Sequence, residues 1–233
     1  MRHVRIIGAG GTASHLLHPL ISYLGFDRTD WLIHLYDADI VEEKNLSRQL
    51  FFPYDVNMPK TQALARRFGE QVIPHEAYIG EDNVAKAIKS GDIVFICADN
   101  MAVRRVINTH CKTLDDVVLL NGGNELYSGS VQIYARLDGK AMTPALDFWS
   151  PEFDPRNDGE DRSAMSCAEI AEMPGGEQTV VANNSVAALL LQALARYDID
   201  RFEESPQWTK ATFDIDAGTF QTSDVRLIGG WDV

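Results

Sequence analysis

The chain has 233 residues, 45% of them hydrophobic and 24% charged, enough for one domain with a full core or for two small ones. Its formal charge of −13 repels phosphate backbones and argues against nucleic acid as a broad partner, though not against a small anion held in a local positive pocket. No run approaches the ~18 apolar residues of a membrane span, no signal peptide opens the chain, and three cysteines without a C-x-x-C pair argue against structural zinc and a disulfide framework, so the cytoplasm is the expected setting.

"HVRIIG" reads as a short buried strand and "TASHLLHPLISYLG" as a helix closed by Gly25. "WLIHLYD" is a second strand. "KTQALARRFGE" is a helix with Gly69 as its C-cap, and "EDNVAKAIKSG" another helix. "DIVFICA" is a near-continuous apolar strand, as in a parallel sheet covered on both faces. The helix "MAVRRVINTHCKT" and the strand "VVLLNGG" follow. This alternation predicts an α/β, Rossmann-like doubly wound, mostly parallel sheet. From "SGSVQIYARL" onward the pattern changes. A strand precedes a long loop, Asp138 to about Glu177. Then come the helix "VVANNSVAALLLQALARY" and two C-terminal strands, "WTKATFDID" and "GTFQTSDVRLI". No linker separates domains, so residues 1–233 are expected to form one.

The first strand runs into "GAGGTAS". Gly8, Gly10 and Ala13 fit G-x-G-x-x-A, with Gly11 in addition. Glycines there let the backbone turn tightly and approach phosphate oxygens, and the following helix points its positive end at them. The second strand delivers Asp37 at its tip, where a carboxylate can accept both hydroxyls of a ribose. To this point NAD and ATP fit equally. Asp39 is a second ribose or loop contact, or a solvated acid. Beyond it the sequence offers Asn45 and Arg48, three apart, then Gln49, with Lys60 opening the next helix and Asp99 ending the strand "DIVFICA". A dinucleotide held by backbone amides has no need of Arg48 and Lys60. A triphosphate, with roughly four negative charges, requires cations before an anion can attack it. A carboxylate at Asp99 suits Mg2+.

The set "GAGG", "DADIVEEKNLSRQ", "PKTQALA" and "CADN…R" resembles the ThiF/MoeB family, ATP-dependent enzymes that activate ubiquitin-like or sulfur-carrier proteins. The resemblance covers Val4 to Asn124 and continues more weakly through "SCAEIAEMPGGEQTVVANNSVAALLLQAL". It implies that Gly8, Gly10 and Gly11 form the glycine loop and that Asp37 binds ribose. Asn45, Arg48 and Gln49 form an N-x-x-R-Q group with Arg48 at the phosphates; Lys60 reaches the phosphates and Asp99 binds magnesium. The implied reaction is adenylation of the C-terminal glycine carboxylate of a small ubiquitin-like or sulfur-carrier partner, and the implied assembly a homodimer. Relatives often begin with a helix whose arginine enters the neighbouring subunit's site; here the first strand begins almost at Met1, and no counterpart is expected.

Relatives also place near Cys167 a cysteine that takes the activated acyl group or sulfur. Here "SAMSCAEIAEM" has no neighbouring His or Lys to favour a thiolate, so acyl transfer and a small packed residue both stay open. Cys97, mid-strand, and Cys111, mid-helix, read as core. The histidines show no ligand spacing beyond His15 and His18, which read as packing or surface residues. Residues 138–177 carry ten acids against three bases. They are a solvated loop, or a flap around Asp154, Asp158, Glu160 and Asp161 that steers a basic partner tail. Two rival functions remain. An NAD-dependent oxidoreductase explains Gly8 to Asp37 but gives Arg48, Lys60 and Asp99 no work; a non-catalytic module would keep the fold and bind the partner without chemistry.

Overall fold

Strand β1 (Arg2–Ile7) alternates between two cores, with Val4 and Ile6 facing one and Ile7 the other. It is third from one edge of a nine-stranded sheet in a computed structural model that describes residues 1–25, 30–150, 153, 179–200 and 208–223. β2 (Trp31–Tyr36) and β4 (Asp92–Ile96) flank β1 in parallel, β3 (Val72–His75) lies outside β2, and β5 (Val117–Asn124) lies outside β4. Beyond β5 the sheet turns antiparallel through β6 (Ser128–Leu137), β8 (Lys210–Asp214) and β9 (Thr219–Ser223), with β7 (Lys140–Ala141) paired to β6. The order β3-β2-β1-β4-β5 reverses direction at β1, so a switch point opens between the C-terminal ends of β1 and β4.

Two layers cover the sheet. Helices α1 (Gly11–Leu24) and α6 (Val180–Asp200) pack Leu16, Leu20, Val186 and Leu190 against Val4, Ile33, Phe95 and Leu120. Across the sheet, α3 (Val84–Ala87), α4 (Met101–Cys111) and α5 (Leu146–Trp149) cover Val94, Ile96 and Leu119. β4 is buried on both faces, the reason its sequence is an unbroken apolar run.

Several elements differ from their sequence reading. Helix α2 (Lys60–Ala65) stops early: Arg67 N and Phe68 N bond only three residues back, and the Arg66 and Arg67 guanidiniums turn to the buried carboxylate of Asp55. α3 is a single turn inside the longer predicted helix. β3 carries Pro74, which lacks the donor a central strand needs, and it lies at the sheet edge, where that loss is tolerated. The predicted loop from Asp138 is structured as far as Ser150, with β7, α5 and a fully buried Leu146. Cys167 and the flap acids Asp154, Asp158, Glu160 and Asp161 lie outside the described residues. Among the described residues no helix is long and apolar enough to cross a membrane.

Candidate functional site

A cavity of about 810 Å³ sits at the switch point, lined by the C-terminal ends of β1, β2 and β4 and by the segment between β2 and α2. Every described residue that the sequence nominated for nucleotide binding lines it, and Cys167 lies outside the described residues. The glycine loop supplies Gly8, Gly10 and Gly11; the tip of β2 supplies Asp37 and Asp39; the next segment supplies Asn45, Arg48 and Gln49; Lys60 and Asp99 complete the wall.

Gly8 is required by its surroundings twice over. Its φ is +95°, and an added Cβ would stand 2.7 Å from the Ala98 amide nitrogen, so the chain leaving β4 can approach only a bare backbone. Gly10 caps α1 without a side chain and has open space where a Cβ would go, with Gln49 Nε2 nearest at 3.9 Å. That space belongs to the cavity.

Asp37 binds the loop in place. Its Oδ2 accepts the amide proton of Ala9 at 2.7 Å and its Oδ1 that of Asp39 at 2.8 Å. Each carboxylate oxygen has about two acceptor positions, so both keep one for a ligand. Burial pushes its pKa up, opposed by the charge of Lys60 and by the two backbone hydrogen bonds.

Lys60 is buried and its Nζ lies 2.7 Å from Asp39 Oδ2. Tyr78, on the loop after β3, donates its hydroxyl to the other oxygen of Asp39. Burial would push the Asp39 pKa up, but the hydrogen bonds from Lys60 and Tyr78 outweigh it and hold the carboxyl below its ordinary range. The bond to Asp39, followed by burial, raises the Tyr78 pKa.

Asn45 closes a 3₁₀ turn, Glu43–Asn45, by accepting the Glu42 amide on Oδ1 at 2.9 Å. The Asn45 carbonyl then accepts from Arg48 N at 3.2 Å and Gln49 N at 2.9 Å, which brings both side chains round to the cavity. Gln49 Oε1 is buried without a hydrogen-bond partner among the described residues.

Asp99 follows β4 and points a buried Oδ2 that meets no hydrogen-bond donor among the described residues. Burial raises its pKa, and Arg104, Lys60 and Arg48 pull the other way. Arg104, on α4, donates to the carbonyls of Ala98 (3.0 Å) and Gly122 (2.8 Å) and to Asn121 Oδ1 (3.2 Å). Asn121 continues to Gln132 and Gln132 to Ser150, a buried polar chain that fixes the guanidinium beside Asp99. An orphaned carboxylate oxygen in a cavity wall fits magnesium, which takes one or two protein carboxylates and fills its shell with phosphate oxygens and water. The described residues hold no cluster of three or more His, Cys, Asp or Glu that would form an all-protein metal cage.

Sequence reasoning missed Tyr78, Arg104 and Asn183 and misplaced Cys97. That cysteine follows β4 rather than lying within it and lines the cavity, its thiol pushed up to about 12 by burial. Arg104 was visible in the "CADN…R" element without a role attached. Asn183 was visible as an amide in an otherwise apolar helical stripe. Cys111 is fully buried, as read.

Fold and site together define a Rossmann-like α/β protein whose switch-point cavity is lined by a glycine loop and by the cations Arg48 and Lys60. The ThiF family model matches residues 1–229, and the chain belongs to that family. It is 31% identical over 137 residues to the adenylyltransferase and sulfurtransferase MOCS3 of Caenorhabditis briggsae, covering 56% of this chain and 33% of that protein. It is 32% identical over 118 residues to the sulfur carrier protein ThiS adenylyltransferase of Escherichia coli, covering 48% of this chain and 45% of that one. The chain thus spans between a third and half of the length of these curated relatives. Among solved structures, Escherichia coli MccB with MccA-N7isoASN matches with a TM-score of 0.71 at 20% identity, covering 96% of this chain and 64% of that one.

Proposed function

We propose that the chain, as one adenylation domain over residues 1–233, uses ATP and Mg2+ to adenylate the C-terminal glycine carboxylate of a small ubiquitin-like or sulfur-carrier protein. The observation that carries this is the convergence of Gly8, Asp37, Arg48, Lys60 and Asp99, far apart in sequence, on one cavity. Family membership and the names of the relatives, adenylyltransferases for sulfur carriers among them, support the same reading. An oxidoreductase would leave Arg48, Lys60 and Asp99 idle.

In this reading the amides of the glycine loop and the N-terminus of α1 receive phosphate oxygens, and Asp37 takes the ribose hydroxyls. Arg48 and Lys60 offset the charge that develops on the phosphates. Asp99 holds the magnesium, which supplies Lewis-acid charge at the phosphates. The partner carboxylate, already ionised near neutral pH, attacks the α-phosphorus; a carboxyl oxygen–phosphorus bond forms, the α–β phosphoanhydride breaks and pyrophosphate leaves. No general base is needed, so the side chains have only to position groups and balance charge. The reading includes a homodimer in the cytoplasm and, after adenylation, a second step in which the Cys167 thiolate attacks the acyl carbon, a thioester forms, the acyl–phosphate bond breaks and AMP leaves.

The test is pyrophosphate release in the presence of a candidate partner ending in Gly-Gly, with the same partner lacking its last glycine as control. Release that depends on the terminal glycine supports the proposal. Partner binding without release would mark a non-catalytic module, and binding of NAD in place of ATP would mark an oxidoreductase.

A further inference from the structure

Asn183 sits at the start of α6 in line with Val186, Leu190 and Ala193, and all four are 0% exposed. An amide at such a position costs free energy unless its polar atoms are bonded. Here they are. Nδ2 donates to the carbonyl of Arg48 at 3.1 Å, and Oδ1 accepts from Asn124 Nδ2 at 3.2 Å and from Thr12 Oγ1 at 3.5 Å. The Arg48 carbonyl can only accept, so it fixes which end of the amide faces it. The same side chain fills the space that a Cβ on Gly11 would need, only 2.3 Å from Nδ2. One residue therefore touches the start of the glycine-loop helix, the end of β5 and the backbone of Arg48.

The Arg48 guanidinium makes no hydrogen bond or ion pair with another described residue, so its place in the cavity depends on where its backbone is held. The Asn45 carbonyl accepts Arg48 N and Arg67 Nη1 donates to the Leu50 carbonyl at 2.7 Å, and two side chains of the α1 and α6 layer add to these. Asn183 takes the carbonyl of residue 48, and Ser14 Oγ accepts the amide of Leu50 at 3.0 Å. Ser14 belongs to α1, directly behind the glycine loop. Among the described residues, Asn183 reaches Arg48 from α6, a helix more than a hundred residues away in sequence, and it does so while touching Thr12.

We propose that Asn183 is a positioning residue for Arg48: it sets the distance between the Arg48 cation and the phosphate-binding glycine loop. The proposal deepens the adenylation reading and rests on it for its consequence on ATP, while the anchoring itself can be tested without ligand.

The experiment uses the full chain, native and Asn183→Ala. Hydrogen exchange in ligand-free protein should rise about tenfold or more at the amides of residues 45–50, with β4 and β5 unchanged. ATP affinity should fall about tenfold, and Arg48→Ala added to Asn183→Ala should cost only about two- to threefold more, less than it costs in the native background. Asn183→Asp, which keeps the shape and turns an acceptor toward the Arg48 carbonyl, should behave the same way and serves if the alanine variant does not fold. Unchanged exchange over residues 45–50 overturns the proposal, as does an ATP loss fully additive with that of Arg48→Ala. If the native chain binds no ATP, the nucleotide reading has failed separately, and the exchange data still decide whether Asn183 anchors Arg48.

Discussion

The ammonium of Lys60 is held 2.7 Å from the carboxylate of Asp39, so the cavity's buried cation is neutralised by an acid of its own wall. Under the proposed function a triphosphate would have to compete with that acid for Lys60. Lys60→Ala should therefore lower the pyrophosphate-exchange rate by about 10²- to 10³-fold, the usual cost of removing one charge-stabilising donor. Asp39→Asn should have the opposite sign for binding, tightening ATP about two- to fivefold by freeing the ammonium. Isothermal calorimetry with ATP reads the second effect. Because the Asp39 side chain left behind is 46% exposed and can be solvated, Lys60→Ala should not shift the unfolding midpoint by more than a few degrees.

Two glycines of one loop should respond differently to the same substitution. Gly8→Ala sets a Cβ against the backbone of Cys97 and Ala98 at a positive φ and should destabilise the fold by about 2–3 kcal/mol in urea titration. Gly10→Ala meets nothing closer than 3.9 Å and should fold normally, yet weaken ATP at least tenfold by placing a methyl where phosphate approaches. Equal stability losses at the two positions would show that both glycines serve the turn and neither the ligand.

Three histidines on adjacent strands touch in series, His3 Nδ1 with His34 Nε2 at 3.1 Å and His34 Nδ1 with His75 Nε2 at 3.0 Å. Burial, with the charges of Arg5, His75 and His3, drives the His34 pKa down to about 4. The unfolded chain takes up that proton near pH 6.5 and the folded chain only near 4, so His34 subtracts stability progressively as pH falls through this window. Asp37 and Asp99, raised by burial, contribute with the opposite sign. The informative quantity is thus the difference between native protein and His34→Gln. Urea midpoints between pH 7 and 4.5 should fall more steeply in the native chain; parallel slopes would contradict the assignment.

Under the proposed function, Cys167→Ala should leave pyrophosphate exchange largely intact and abolish any reductant-sensitive adduct with the partner, because adenylation would use only the switch-point cavity and acyl transfer would use the sulfur. A thioester that survives in this variant points to another cysteine. Cys97 and Cys111 are poor substitutes, since burial pushes each thiol up to about 12.

What the sequence made legible was local pattern and ordered motif. Apolar runs gave β1, β2, β4 and β5, and the glycine loop, the N-x-x-R-Q group, Lys60 and Asp99 gave most of the cavity wall. What stayed hidden was long-range. The early end of α2 depends on Asp55, a buried acid eleven and twelve residues before the arginines it binds. The histidine row exists only because β1, β2 and β3 lie side by side in a particular register. Asn183 meets Arg48 across 135 residues, and nothing near either position announces the contact. β3 was missed because its proline reads as a strand breaker until the strand is known to lie at the edge.

The central claim is tested most directly by exchange of labelled pyrophosphate into ATP, run with a Gly-Gly-ending partner and magnesium, in the native chain and in Arg48→Ala. The account predicts partner- and magnesium-dependent exchange in the native chain, reduced about a hundredfold or more in a variant that remains folded. Absence of exchange in the native chain with every such carrier offered, or undiminished exchange in a folded Arg48→Ala, would contradict it.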